Sequence, residues 1–75
     1  MILLNEKTER DLRDLIYHSL PKANRGRTSL GRRCVIYQGD YDTHVICKLH
    51  KLHHQQLISL YKRLHKMGLI DAEIS

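Results

Sequence analysis

The stretch from Lys22 to Arg33, Lys-Ala-Asn-Arg-Gly-Arg-Thr-Ser-Leu-Gly-Arg-Arg, holds the residue types best suited to chemistry with an anion. It carries Lys22, Arg25, Arg27, Arg32 and Arg33, two glycines and no acidic residue. A guanidinium offers parallel N–H donors that match two phosphate oxygens, and glycines let backbone N–H groups approach the same anion. Thr28 adds a hydroxyl of the kind that touches phosphate, as does Ser29. The whole chain has a formal net charge of +5, equal in size to the charge of this one segment. So local a charge is a field aimed at something anionic. Lys62, Arg63 and Lys66, spaced along a predicted helix, would offer a second contact to the same partner.

Two partners fit these side chains. A nucleic acid, DNA or RNA, would bind them through phosphates, and the protein would then be a small basic regulator. An acidic protein surface would bind the same arginines, making the chain a small inhibitor or adaptor, of phage or mobile-element type, that docks on a larger nucleic-acid-processing enzyme. The segment has no Gly-Lys-Ser/Thr and no strand leading into it, so it is not a P-loop.

Cys47-Lys-Leu-His50-Lys-Leu-His53 has zinc-ligand residue types at zinc-like spacing, and a β-hairpin would bring Cys34 beside Cys47. Against Cys34, Cys47, His50 and His53 as a metal site stand the missing Cys-x2-Cys pair and the core-facing positions of both cysteines. The expectation is therefore thiols acting as small hydrophobes, with no metal and no other cofactor. A catalytic Cys/His pair needs an accessible thiol, and Asp40 and Asp42 sit where turns favour Asp, so a non-enzymatic role is expected.

The elements that position these residues follow from hydrophobic periodicity. Leu12, Leu15, Ile16 and Leu20 fall at helical spacing, with Asn5 or Thr8 as the N-cap and Pro21 as the stop. Glu9 with Arg13 and Arg10 with Asp14 make i,i+4 pairs on a solvated face. The basic segment, residues 21–33, reads as a loop. Residues 34–37 and 44–47 read as a hairpin, with Gln38 paired to Thr43 across a four-residue loop. That register puts Cys34, Ile36, Val45, Cys47 and Leu49 on the core face. Val35, Tyr37, His44, Ile46 and Lys48 then line the other face.

A last helix starts at Leu49 or Lys51 and runs to Met67, burying Leu57, Leu60, Tyr61, Leu64 and Met67, with His53 on the same side and Gly68 as the C-terminal stop. Leu60-Tyr-Lys-Arg-Leu-His-Lys-Met-Gly-Leu-Ile-Asp resembles the tail of a recognition helix in winged-helix DNA-binding proteins, where a basic helix ends in Gly-Leu-Ile before the wing. The order helix, hairpin, helix departs from the winged-helix order, so none of that family's residues is carried over.

The fold class is thus α+β: helix, antiparallel β-hairpin and helix in one small domain spanning residues 1–75. A lone hairpin is marginal, so completion by a third strand from the N-terminus or by dimerisation is expected. No apolar run reaches the roughly 18 residues that span a bilayer. Met1-Ile-Leu-Leu is too short for a signal-peptide core, which points to the cytoplasm and to no membrane partner.

Overall fold

Leu12, Ile16 and Leu20 recur every fourth residue, which in a helix stacks them along one side. They lie on, or just past, helix α1 (Glu6–Ser19), and all three are buried. Pro21 disfavours helical conformation in the residue before it, and α1 stops at Ser19. The computed structural model describes the backbone of residues 6–71 and the side chains of residues 9–71. Asn5, the N-terminal strand option and residues 72–75 fall outside that range, and Thr8 lies within the helix rather than at its cap.

After α1 come a short 3-10 turn (Lys22–Asn24) and three strands, β1 (Arg25–Arg27), β2 (Arg33–Gln38) and β3 (His44–Lys48). A second 3-10 turn (Leu49–Lys51) leads into helix α2 (His54–Lys66). The strands form one antiparallel sheet in the order β1-β2-β3, so the architecture is α+β as expected. The third strand, however, comes from inside the basic segment. Residues 25–27 pair with residues 33–35, so part of the expected loop is strand.

The β2–β3 register differs from the expected one by a single residue. Gln38 pairs with His44, Tyr37 with Val45, Ile36 with Ile46, Val35 with Cys47 and Cys34 with Lys48. The connection is one residue longer than expected because Tyr41 (φ 58°) and Asp42 (φ 61°) both adopt left-handed backbone, while Gly39 N–H donates to Thr43 O at 2.7 Å. A one-residue slip exchanges faces. Val35 and Tyr37 therefore join the core opposite Cys47 and Val45, while Ile36 pairs with Ile46, which is 63% exposed. The β2 sequence, Cys-Val-Ile-Tyr, is apolar at every position, so alternation left its face undetermined.

On α2, Leu57, Leu60, Tyr61 and Leu64 are buried against Leu12, Ile16, Val35 and Leu49, as the periodicity predicts. Each fully buried leucine stabilises the fold by about 2 kcal/mol relative to exposure. The helix begins later than expected, because residues 49–51 close into a 3-10 turn. His53, expected on the buried side, is exposed just ahead of the helix, its backbone N–H donating to Gln56 Oε1 at 3.0 Å. Met67, also expected in the core, is 42% exposed. Gly68 turns the chain at φ 78°, Leu69 N–H donates back to Leu64 O at 3.0 Å, and Ile70 enters the core in place of Met67. The Gly-Leu-Ile segment thus closes the core. Among the described residues, no helix is long and apolar enough to cross a membrane.

Candidate nucleic-acid interface

The basic segment is shaped by a hairpin turn at Thr28–Arg32. Gly31 N–H donates to Thr28 O (2.9 Å), and Thr28 N–H donates to Arg32 O (2.7 Å). Arg32 N–H donates to Thr28 Oγ1 (3.1 Å), and Gly31 takes φ 80°. A three-residue hairpin loop needs one residue in the left-handed region, and glycine occupies it without strain. The signal, Thr-Ser-Leu-Gly between two Arg-rich flanks, is legible in the sequence, but without apolar residues in β1 it does not announce a strand.

Pairing fixes where each arginine goes. Arg27 lies opposite Arg33, and Arg25 opposite Val35, which places all three arginines on the α1 side of the sheet. Like charges directly opposed repel. Here α1 supplies the compensation: Arg33 Nη1 donates to Asp14 Oδ1, and the Arg25 and Arg33 guanidinium carbons lie 5.6 and 5.0 Å from the centroid of the Tyr17 ring. Asp14 therefore pairs with Arg33 instead of the expected Arg10. Arg27 Nη1 donates to Gly31 O at 2.8 Å. Arg32, exposed at the end of the turn, keeps its guanidinium out of every side-chain hydrogen bond among the described residues.

Two adjoining hollows surround this turn. One, of about 290 Å³, opens between α1 and the turn and is walled by Arg10, Arg13, Arg27, Arg32 and Arg33 against the single carboxylate of Asp14. The other, of about 280 Å³, runs between Thr28, Ser29 and Leu30 on one side and Lys48 and Lys51 on the other. Arg32 and His50 line both, so the two form one basic cleft. Its field acts on His50, whose pKa is lowered from the usual 6.5, first by loss of hydration and then by the charges of Arg32, Lys51, Lys48 and Arg13.

Arg10, Arg13, Lys48 and Lys51 were not among the residues expected from the sequence, and His50 was expected only as a metal ligand. The signal that finds them is the register. Lys48 pairs with Cys34, the residue after Arg33, so an antiparallel β3 must deliver residues 48–51 beside the turn.

The other expected contacts lie elsewhere. Lys22 is exposed in the first 3-10 turn, before the far end of β1. Arg63 and Lys66 border a separate hollow of about 390 Å³ with Gln38, Gly39 and Asp40 at the opposite end of β2, and Lys62 is exposed on the same helix. Five residues of strand at about 3.3 Å each separate that end from the basic turn by about 17 Å. A further hollow, of about 480 Å³, lies between Tyr37, Cys47 and α2 and carries Arg63 as its single charged side chain.

The metal-ligand candidates are dispersed. Cys34 and Cys47 belong to opposite faces of the sheet. The Cys34 thiol points toward Arg32 O (3.8 Å), and the Cys47 thiol toward Tyr37 Oη (3.9 Å). His50 lies in the basic cleft and His53 precedes α2, and among the described residues no three His, Cys, Asp or Glu side chains gather as a metal would require. Burial next to Cys47 raises the Tyr37 pKa above 10.0, chiefly by desolvation.

Comparison of the chain with models of known families, with curated proteins and with solved structures finds no match.

Proposed function

We propose that this protein is a small non-enzymatic regulator that binds nucleic acid through the basic cleft, with Arg10, Arg27, Arg32, Lys48 and Lys51 on phosphates. The observation that carries the reading is convergence: three segments distant in sequence bring their cations to one concave surface that contains a single carboxylate, already paired with Arg33. Lys22 and the α2 cations Lys62, Arg63 and Lys66 lie outside that surface and contribute only to the general field. Five phosphate contacts give a log-log salt dependence with a slope of about −4.5 on duplex DNA and about −3.5 on a single strand.

The test is fluorescence anisotropy with labelled duplex DNA, single-stranded DNA and RNA at low and moderate salt. Salt-sensitive binding that Arg27→Ala with Arg32→Ala weakens at least tenfold supports the reading. No binding to any of the three at low salt ends it.

A second reading has its own observation. Leu30 is 87% exposed at the apex of the turn, ringed by cations, and an apolar anchor inside a charged rim suits a protein partner. In that case the chain is an inhibitor or adaptor seated on an acidic surface of a nucleic-acid-processing enzyme. Leu30→Ser separates the two, since it abolishes docking on a protein and leaves phosphate contacts intact. The homodimer expected from chain length is read by sedimentation equilibrium, with Ile46→Lys as the change that would disrupt packing on the outer sheet face. Placement in the cytoplasm belongs to this same proposal.

A further inference from the structure

We infer that the hollow between the Thr28–Arg32 turn and the Lys48–Lys51 segment is a terminal-phosphate site, taking the phosphomonoester at the end of a nucleic-acid strand in preference to an internal phosphodiester. The inference rests on the reading of the basic cleft as a nucleic-acid site.

Charge is the first argument. Arg32, Lys48 and Lys51 line the hollow with His50 and with no acidic side chain. An internal phosphodiester brings one negative charge, whereas a terminal phosphate brings about −1.5 to −2 at neutral pH and three terminal oxygens. The adjoining cleft differs. Its Asp14 offsets Arg33, and Arg13 spends two of its donors on Leu49 O (3.1 Å) and Leu52 O (2.8 Å). The Lys48–Lys51 side is thus the one with no carboxylate to repel a dianion.

Donor placement and shape agree with this. Thr28 Oγ1 accepts from the Arg32 backbone at 3.1 Å, so its own hydroxyl hydrogen remains to be donated, and Ser29 adds another. The hollow is more enclosed than the cleft it joins, and it communicates with that cleft past Arg32 and His50. A strand end needs one exit. An internal phosphate needs two, and only the side toward Arg27 and Arg10 is lined with further cations for the chain to follow.

The test uses internally labelled single strands of one sequence bearing a 5′-phosphate, a 3′-phosphate or hydroxyls at both ends, titrated by anisotropy at pH 7.5. One phosphorylated strand is expected to bind about tenfold tighter than the hydroxyl-ended one, as for one added charge-assisted hydrogen bond. The arm that shows the preference identifies which end is read. Lys48→Ala with Lys51→Ala, both exposed, should weaken binding of every strand and erase the preference, bringing the phosphorylated and hydroxyl-ended strands within about twofold of each other. Equal affinity for all three strands overturns the terminal-phosphate site and leaves the cleft reading standing. Absence of binding to every strand overturns both.

Discussion

Arg13 of α1 is tied to Leu49 across the molecule: its Nε donates to Leu49 O at 3.1 Å, and its Nη2 donates to Leu52 O at 2.8 Å. Periodicity placed Arg13 on a solvated face, paired with Glu9. That pair exists at 3.4 Å, but the larger role of the guanidinium is to hold the segment between β3 and α2. If it is removed, Leu52 O loses this donor, and Leu49 O is left with the Leu52 N–H at 3.1 Å. Arg13→Ala should destabilise the fold by about 2 kcal/mol in urea denaturation, and Arg13→Lys should recover little, because an ammonium lacks the planar fork. A loss under about 0.5 kcal/mol would show that water replaces the contact.

Neighbouring arginines should separate into structure and binding. Arg33 is stacked on Tyr17 and paired with Asp14, both groups being more than a third exposed, so Arg33→Ala should lower stability by about 1 kcal/mol. Arg32→Ala should leave the melting temperature unchanged and weaken nucleic-acid binding about tenfold. Thermal melts of the two variants beside anisotropy titrations check the division, and equal effects of both on melting would refute it.

The β2–β3 connection holds a reserve of stability. Tyr41 is 99% exposed and sits with Asp42 in left-handed backbone that side chains rarely adopt. Replacing the pair by Asn-Gly, which favours that conformation, should raise stability by about 1 kcal/mol and leave the register unchanged. Calorimetry reads the gain. A drop would mean that the hydrogen bond Gln38 Nε2 donates to Asp42 Oδ1 (3.3 Å), lost with the pair, is worth more than the strain.

Binding should depend on the protonation of His50. In the free protein its pKa lies below the usual 6.5, held down by desolvation and by Arg32, Lys51, Lys48 and Arg13. The folded form thus takes up its proton less readily than the unfolded chain. Its contribution to stability is full above 6.5 and falls as the pH drops through the folded pKa. An anion in the cleft reverses the shift, so binding draws in a proton. Affinity for a hydroxyl-ended strand, whose charge is constant in this range, should rise from pH 7.5 to 5.5, and His50→Gln should remove part of that rise. An identical profile in the variant would dissociate His50 from the site. A strand with a terminal phosphate should instead peak near pH 6, where the phosphate begins to lose its own charge.

The two amphipathic helices, the Pro21 and Gly68 stops, the hairpin and the concentration of positive charge are all legible in the order of residues. Each of these depends on local spacing or on a backbone preference of one residue. Strand pairing, by contrast, is settled by contacts between distant segments. β1 has no apolar residue to signal a strand, and Cys-Val-Ile-Tyr in β2 is apolar on both faces, so neither the third strand nor the register could be read from pattern. Register in turn decided the site. By setting Lys48 opposite Cys34, it carried Lys48, His50 and Lys51 to the basic turn and left Lys62, Arg63 and Lys66 at the other end of the sheet. Charge is written residue by residue, but a field is a property of distances, and folding sets those.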